Sequence, residues 1–103
     1  MDKEALKDNI IEQLRTVFDP EIHVNIYDLG LIYRVDIDDA AAVDVDMTLT
    51  APGCPVAHTF PGMVESKIKE VDGVTDAKVN LVWEPAWSRD NMSMEVKLEL
   101  GLL

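Results

Sequence analysis

The stretch "LIYRVDIDDAAAVDVDMTLT", from Leu31 to Thr50, constrains the fold more than any other part of the chain. It holds two runs in which apolar and polar residues alternate with the period of a pleated strand. In "LIYRVDID", Leu31, Tyr33, Val35 and Ile37 share one face, and Arg34, Asp36 and Asp38 share the other. In "AVDVDMTLT", Val43, Val45, Met47 and Leu49 point one way. The short connection from Asp38 to Ala42 makes the two a hairpin. Each strand has one apolar and one wet face, so the sheet is covered on one side only, and helices belong in a single layer over it.

The flanking sequence supplies that layer. Leu6, Ile10, Leu14, Val17 and Phe18 recur at helical spacing and predict a helix from Asp2 to Phe18. Asp19-Pro20 stops it, because the residue before a proline is pushed out of the helical region. "EIHVNIYDLG" reads as an irregular connection with a turn at Asp28 to Gly30. Val56, Phe60, Met63, Val64, Ile68 and Val71 predict a second amphipathic helix ended by Asp72-Gly73. Within it, Pro61-Gly62 either kinks the helix or separates a first turn at Pro55 to Phe60 from the main body. "VTDAKVNLVW" predicts a third strand with Ala77, Val79, Leu81 and Trp83 in phase. The strand, helix, strand order implies a right-handed crossover and a parallel relation between strands two and three. "SMEVKLELG" is a short closing helix with Ser93 as N-cap and Gly101 beyond its end.

The expected fold class is therefore α/β. Residues 1–103 form a single domain, a small two-layer sandwich ordered helix, hairpin, helix, strand, short helix, with a mixed three-stranded sheet and helices mainly on one face. A chain of 103 residues, 48% of them hydrophobic, has the means to build such a core, since a domain of this size buries roughly two thirds of its unfolded surface.

Charge and cysteine content exclude several functions. The net charge of -11, from 20 acidic and nine basic side chains without a basic block, repels nucleic acid. Such acidity serves solubility or recognition of a basic partner surface. A single cysteine excludes an internal disulfide and a cysteine-only zinc site within one chain, and suits a reducing compartment. The N-terminal "MDKEALKDNIIEQL" is too charged for a signal peptide or a membrane span, so a soluble cytoplasmic protein without a membrane partner is expected. No glycine-rich phosphate loop is present, and no nucleotide cofactor is expected.

The one thiol lies in "TLTAPGCPVAHTF", where strand two gives way to helix two. Pro55 suits a first helical position, because its missing N–H has no partner to lose there. Cys54 would then sit near unpaired amides and the positive end of a helix dipole, a setting that favours the thiolate, the form that binds metal or attacks an electrophile. Gly53 lets another backbone or a cluster come close, and Thr50 can aim its hydroxyl at the same spot. The plainer alternative is a buried, inert cysteine. His58 follows Cys54 at a spacing that shares a helical face and makes it a candidate second metal ligand, but two ligands do not complete a site that usually wants four. A solvated first-turn role for His58 and a loop role for His23 are the plainer readings. Asp19, Glu21 and Asp28 form an acidic cluster of ordinary cap and turn formers. Trp83 and Trp87 read as packing residues of core and lid, although an exposed one would mark a partner site.

Taken together, "FDPEIHVNIYDLGLIYRVDI", "MTLTAPGCPVA", "GVTDAKVNLVWEPAW" and "MSMEVKLELGL" resemble, in order and spacing, the small iron-sulfur assembly factors of the SufT and PaaD type. These form the metal-sulfur cluster biosynthetic protein family. The resemblance covers nearly the whole chain. It implies a compact α/β domain, a role in maturing iron-sulfur proteins, and a functional cysteine at Cys54, with Asp19 of the Asp-Pro-Glu motif and Thr50 of the Thr-x-x-x-Cys-Pro motif lining its pocket.

Two functions of different class follow. In the first, the protein is a non-enzymatic assembly factor in which Cys54 binds iron or a labile iron-sulfur cluster, or holds a transfer intermediate. Its partners are the iron-sulfur assembly machinery and recipient apoproteins. Because cysteine ligation of a cluster usually takes four thiolates, a symmetric homodimer or a partner would supply the rest. Free sheet edges and the "VWEPAW" segment make a two-fold dimer the expected state. In the second, the chain is a thiol enzyme with Cys54 as nucleophile and Asp19 or His58 as orienting group or base.

Overall fold

The computed structural model describes residues 2–19, 22–50 and 59–101. Helix α1 spans Lys3–Leu14 and starts on Asp2, whose carboxylate accepts the amide hydrogens of Glu4 and Ala5. Its Leu6, Ile10 and Leu14 form the buried stripe. The helix ends four residues short of the expected Phe18. Val17 stays in the core, but Phe18 is extended, bridges to Asn25, and leaves its ring 57% exposed. The backbone pairing of 17–19 with 24–26 wins over another helical turn, with Ile26 donating to the Val17 carbonyl and Asp19 to that of Val24.

Strands β1 (Ile32–Ile37) and β2 (Ala42–Met47) form the hairpin, antiparallel as expected. The Asp38 carboxylate closes the connection by accepting the amides of Ala40 and Ala42, and Ala41 takes a left-handed φ of 62°. One feature of β1 departs from strict alternation. Ile32 faces Met47 and Arg34 faces Asp46, so Tyr33 is an extra residue, a bulge that removes it from the core face where the alternation placed it. Val35 and Ile37 keep their partners Val45 and Val43.

Helix α2 runs from Phe60–Lys69, with Pro61 in its first turn where a proline costs no hydrogen bond, so no kink is needed. Residues 51–58, including Cys54, Pro55 and His58, lie outside the described residues, and the expected helical start at Pro55 lies there with them. Phe60, Val64 and Ile68 are buried, whereas Met63, also assigned to the apolar face, is 42% exposed. Strand β3 (Asp76–Leu81) pairs parallel with β2, giving the sheet order β1-β2-β3. Ala77 and Val79 face the core. Trp83, expected in phase with them, lies beyond the strand and is 39% exposed. At the outer edge of β3 the Glu65 carboxylate accepts the Val79 amide at 2.8 Å, occupying one of the donors an edge strand would otherwise present. Helix α3 (Met94–Glu99) starts on Ser93, whose hydroxyl accepts the Val96 amide, and Gly101 follows its end at φ 74°.

The two layers meet between α1 and α2 on one side and the apolar face of the sheet on the other. Ile10, Leu14, Val45, Met47, Val64 and Ile68 are fully buried there, each contributing about 1.5–3 kcal/mol over an exposed side chain. The opposite face carries Arg34, Asp36, Asp44, Asp46 and Asn80. Among the described residues no helix is long and apolar enough to cross a membrane.

Candidate functional site

Because β2 and β3 are parallel and β1 antiparallel, the carboxyl ends of β2 and β3 lie beside the start of β1. In open α/β sheets this end is where ligands are held. The segment carrying Thr50 and Cys54 leaves β2 at this end. The ladder continues past the strands, with Thr48 donating to the Leu31 carbonyl and Val82 to that of Met47, each at 2.8 Å.

Asp19 approaches this end from α1. It is 3% exposed. Its carboxylate accepts the Ile22 amide at 2.9 Å, and its carbonyl accepts that of His23. His23 is an exposed loop residue with φ 63°. The carboxylate is thus fixed by its own loop rather than swinging in solvent. A run of backbone hydrogen bonds leads from that loop to the end of β2: Ile26 to Val17, Leu31 to Ile26, Thr48 to Leu31. Thr50 is half-buried at the last described position before residue 51. Asp19 and Thr50 therefore belong to one end of the fold, while Cys54 and His58 lie outside the described residues. Among the described residues no group of three or more His, Cys, Asp or Glu is arranged to hold a metal ion.

Several residues that the sequence reading assigned only to a turn, a strand face or lid packing build the floor of this end. The turn from Ile26 to Gly30 receives the C-terminal segment. Trp87 donates its indole N–H to the Leu29 carbonyl at 2.8 Å, and the Ser93 amide donates to that of Asp28 at 2.9 Å. Gly30, at φ 84°, allows the approach, since a Cβ there would lie 2.2 Å from the Asn91 carbonyl oxygen. The bulged Tyr33 donates its hydroxyl to the Pro85 carbonyl at 2.8 Å and accepts from the Asn91 amide at 3.3 Å. The Glu84-Pro85 peptide is cis. The Asp28 to Gly30 turn and the "VWEPAW" segment are thus two halves of one contact. Their only sequence signal was a glycine in a turn and a tryptophan pair, neither of which names its partner.

Beside this contact an open cleft is lined by Tyr33, Arg34, Asp46, Glu84 and Asn91. Its Arg34 and Asp46 are already paired. The Arg34 guanidinium meets Asp46 and Asp44, each at 2.9 Å, and Asn80 donates to both carboxylates. Hydrogen bonds from Arg34, then from Asn80, hold both aspartates below the usual carboxylate range, and the same bonds raise Arg34 above its ordinary value. One polar atom is less well served: the Thr48 hydroxyl is fully buried and has no hydrogen-bond partner among the described residues.

Comparison with known proteins places this architecture. The chain is 52% identical over 97 residues to an Fe-S protein maturation auxiliary factor of Porphyromonas gingivalis, spanning 94% of this chain and 92% of that one. It is 43% identical over 100 residues to the Fe-S protein maturation auxiliary factor YitW of Bacillus subtilis, spanning 97% and 98% of the two chains. The crystal structure of a domain of unknown function from Bacillus anthracis superposes with a TM-score of 0.87 at 37% identity, covering 97% of this chain and 95% of that one. The sequence profile of iron-sulfur cluster assembly proteins matches residues 7–81, which include most of α1, the hairpin, the Thr50 to Cys54 segment and β3, and the chain belongs to that family.

Proposed function

We propose that this protein is an auxiliary factor of iron-sulfur protein maturation, acting in the cytoplasm. In this reading Cys54 takes iron or a labile cluster as cargo, or holds a transfer intermediate, and the surface around it docks a recipient apoprotein. Asp19 and Thr50 line the cargo pocket. The reading is carried by one observation beyond family membership: a carboxylate that is 3% exposed, Asp19, is oriented by its own loop at the end of the sheet from which the Cys54 segment departs. A buried carboxylate is costly unless hydrogen-bonded, and here it is held at the end of the sheet that the chain leaves through Thr50. One thiolate does not hold a cluster alone, so a partner or a second copy supplies the remaining ligands.

The test is paired. Cys54→Ser is close to isosteric, so the purified variant is expected to melt within a few degrees of the parent while failing to support a cluster-dependent enzyme in cells at matched abundance. Asp19→Asn should weaken that support less. Normal enzyme activity with Cys54→Ser would end the thiol reading. A Cys54→Ser protein that melts much lower, with activity falling only as its abundance falls, would make the cysteine structural.

A further inference from the structure

Apolar periodicity assigns Phe18, Met63 and Trp83 to the core, and the fold leaves all three exposed, at 57%, 42% and 39%. They come from three separate stretches of chain, yet the topology brings them to one end. Lys3, at the start of α1, is ion-paired to Asp39 in the hairpin connection. Twelve helical residues then rise about 18 Å, the length of a six-residue strand, so α1 delivers Phe18 to the opposite end. Met63 lies in the first turn of α2, directly after the segment that leaves β2. The Glu65–Val79 hydrogen bond fixes the register of α2 on β3, and both Met63 and Trp83 lie from that bond toward the carboxyl end. At the hairpin end, among the described residues of 2–4, 38–42 and 70–76, no large hydrophobic side chain is exposed.

We infer that Phe18, Met63 and Trp83 are the apolar anchors by which the recipient protein docks at the carboxyl end of the sheet, and that the recipient presents an apolar contact flanked by lysine and arginine. This rests on the maturation role proposed above and adds the surface and the chemistry of its partner. Charge selects the occupant. A chain of net charge -11 repels an anionic membrane and nucleic acid, and attracts a basic surface. Glu84, exposed next to Trp83, places one of those acidic groups beside an anchor. Exposed aromatic and methionine side chains at a functional end are the residue types that anchor such interfaces.

The test compares Phe18→Asp, Met63→Asp and Trp83→Asp with Leu98→Asp, a change at a leucine of α3 that is 62% exposed. Each is read in cells at matched abundance by the activity of a cluster-dependent enzyme, and in vitro by iodoacetamide alkylation of Cys54, melting temperature and sedimentation. Each of the first three is expected to lower enzyme support roughly ten-fold or more, with alkylation, melting and sedimentation unchanged and Leu98→Asp near the parent. Glu84→Lys should lower support several-fold. Full activity of all three aspartate variants, loss confined to Leu98→Asp, or a parental dimer that Trp83→Asp dissociates would each overturn the surface or its occupant. Glu84→Lys equal to the parent would overturn the basic partner. Cys54→Ser in parallel keeps the tests separate, since full activity there removes the thiol mechanism and leaves the docking surface to be judged on its own variants.

Discussion

At the hairpin end of the sheet the exposed groups are polar and the chain closes on itself through polar contacts no more than 36 residues apart: the Asp38 carboxylate on two amides, Thr75 on the carbonyls of Ala40 and Ala41, Lys3 on Asp39. At the carboxyl end, closure comes from segments more than fifty residues apart, Trp87 on Leu29 and Tyr33 on Pro85, and apolar side chains are left in solvent. The first end is made to be finished by water. The second is held from a distance, so that its outer surface is not consumed in stabilising itself. The difference shows which end of a small domain is available for work, before any ligand is considered.

The sharpest way to break this comparison is to place the same change at both ends. Gly30 and Gly73 both have positive φ, 84° and 96°. A Cβ at Gly30 meets the Asn91 carbonyl at 2.2 Å, whereas at Gly73 it meets only the Leu6 Cδ1 at 3.6 Å. Gly30→Ala should therefore lose roughly 3 kcal/mol and release the C-terminal segment to proteolysis. Gly73→Ala should lose only the backbone strain, about 1 to 2 kcal/mol, with the segment still protected. Denaturant melts and limited proteolysis of the two variants check this, and equal losses would mean the distant closure carries no special weight.

A smaller effect of opposite sign is expected from Thr48→Val. A buried hydroxyl without a partner costs more than an isosteric methyl, so the variant should gain about 1 kcal/mol in a urea melt. A loss of stability instead would show that the hydroxyl is hydrogen-bonded in solution.

The smallest effects are electrostatic, and they separate the two regions by pH. Asp44 and Asp46 are lowered, first by Arg34, and Asp39 is lowered by Lys3. Their stabilisation is complete above the unfolded carboxylate pKa of about 3.9 and is lost as pH falls through the lower folded values. Lys3 is raised by Asp39, so its contribution is present below the ordinary lysine value and is lost as pH rises through the raised one. Acid should loosen both the open sheet face and the hairpin end, and base only the hairpin end. Both effects should shrink in high salt, because these groups are exposed. Hydrogen exchange across pH reads the two regions separately.

The two strands of the hairpin, the parallel third strand, the Ser93 cap and the single helical layer were legible because period and capping are local properties of sequence. What failed did so at the carboxyl end. The helical pattern ran on through Phe18 because backbone pairing with Asn25 leaves no periodic trace, and the Tyr33 bulge shifts register without changing residue type. Trp83 continued the alternation after the strand had stopped. Of the proposed site, Asp19 and Thr50 were singled out by the motifs of the resemblance, and both lie at one end of the fold. Gly30, Tyr33, Trp87 and Asn91 were not, since each owes its role to a contact with distant chain.

The parallel pairing of β2 with β3 also bears on how freely this family can change. The hairpin closes a turn of a few residues, and its geometry tolerates little. The crossover from Met47 to Asp76 is already long, and doubling a loop costs only about 0.6 kcal/mol in closure entropy. Changes in the length of that crossover therefore cost little in closure entropy. The Cys54 segment lies on the connection whose length the fold registers least, so, on the maturation role proposed above, cargo or recipient preference can drift there while the sheet and core stay as they are.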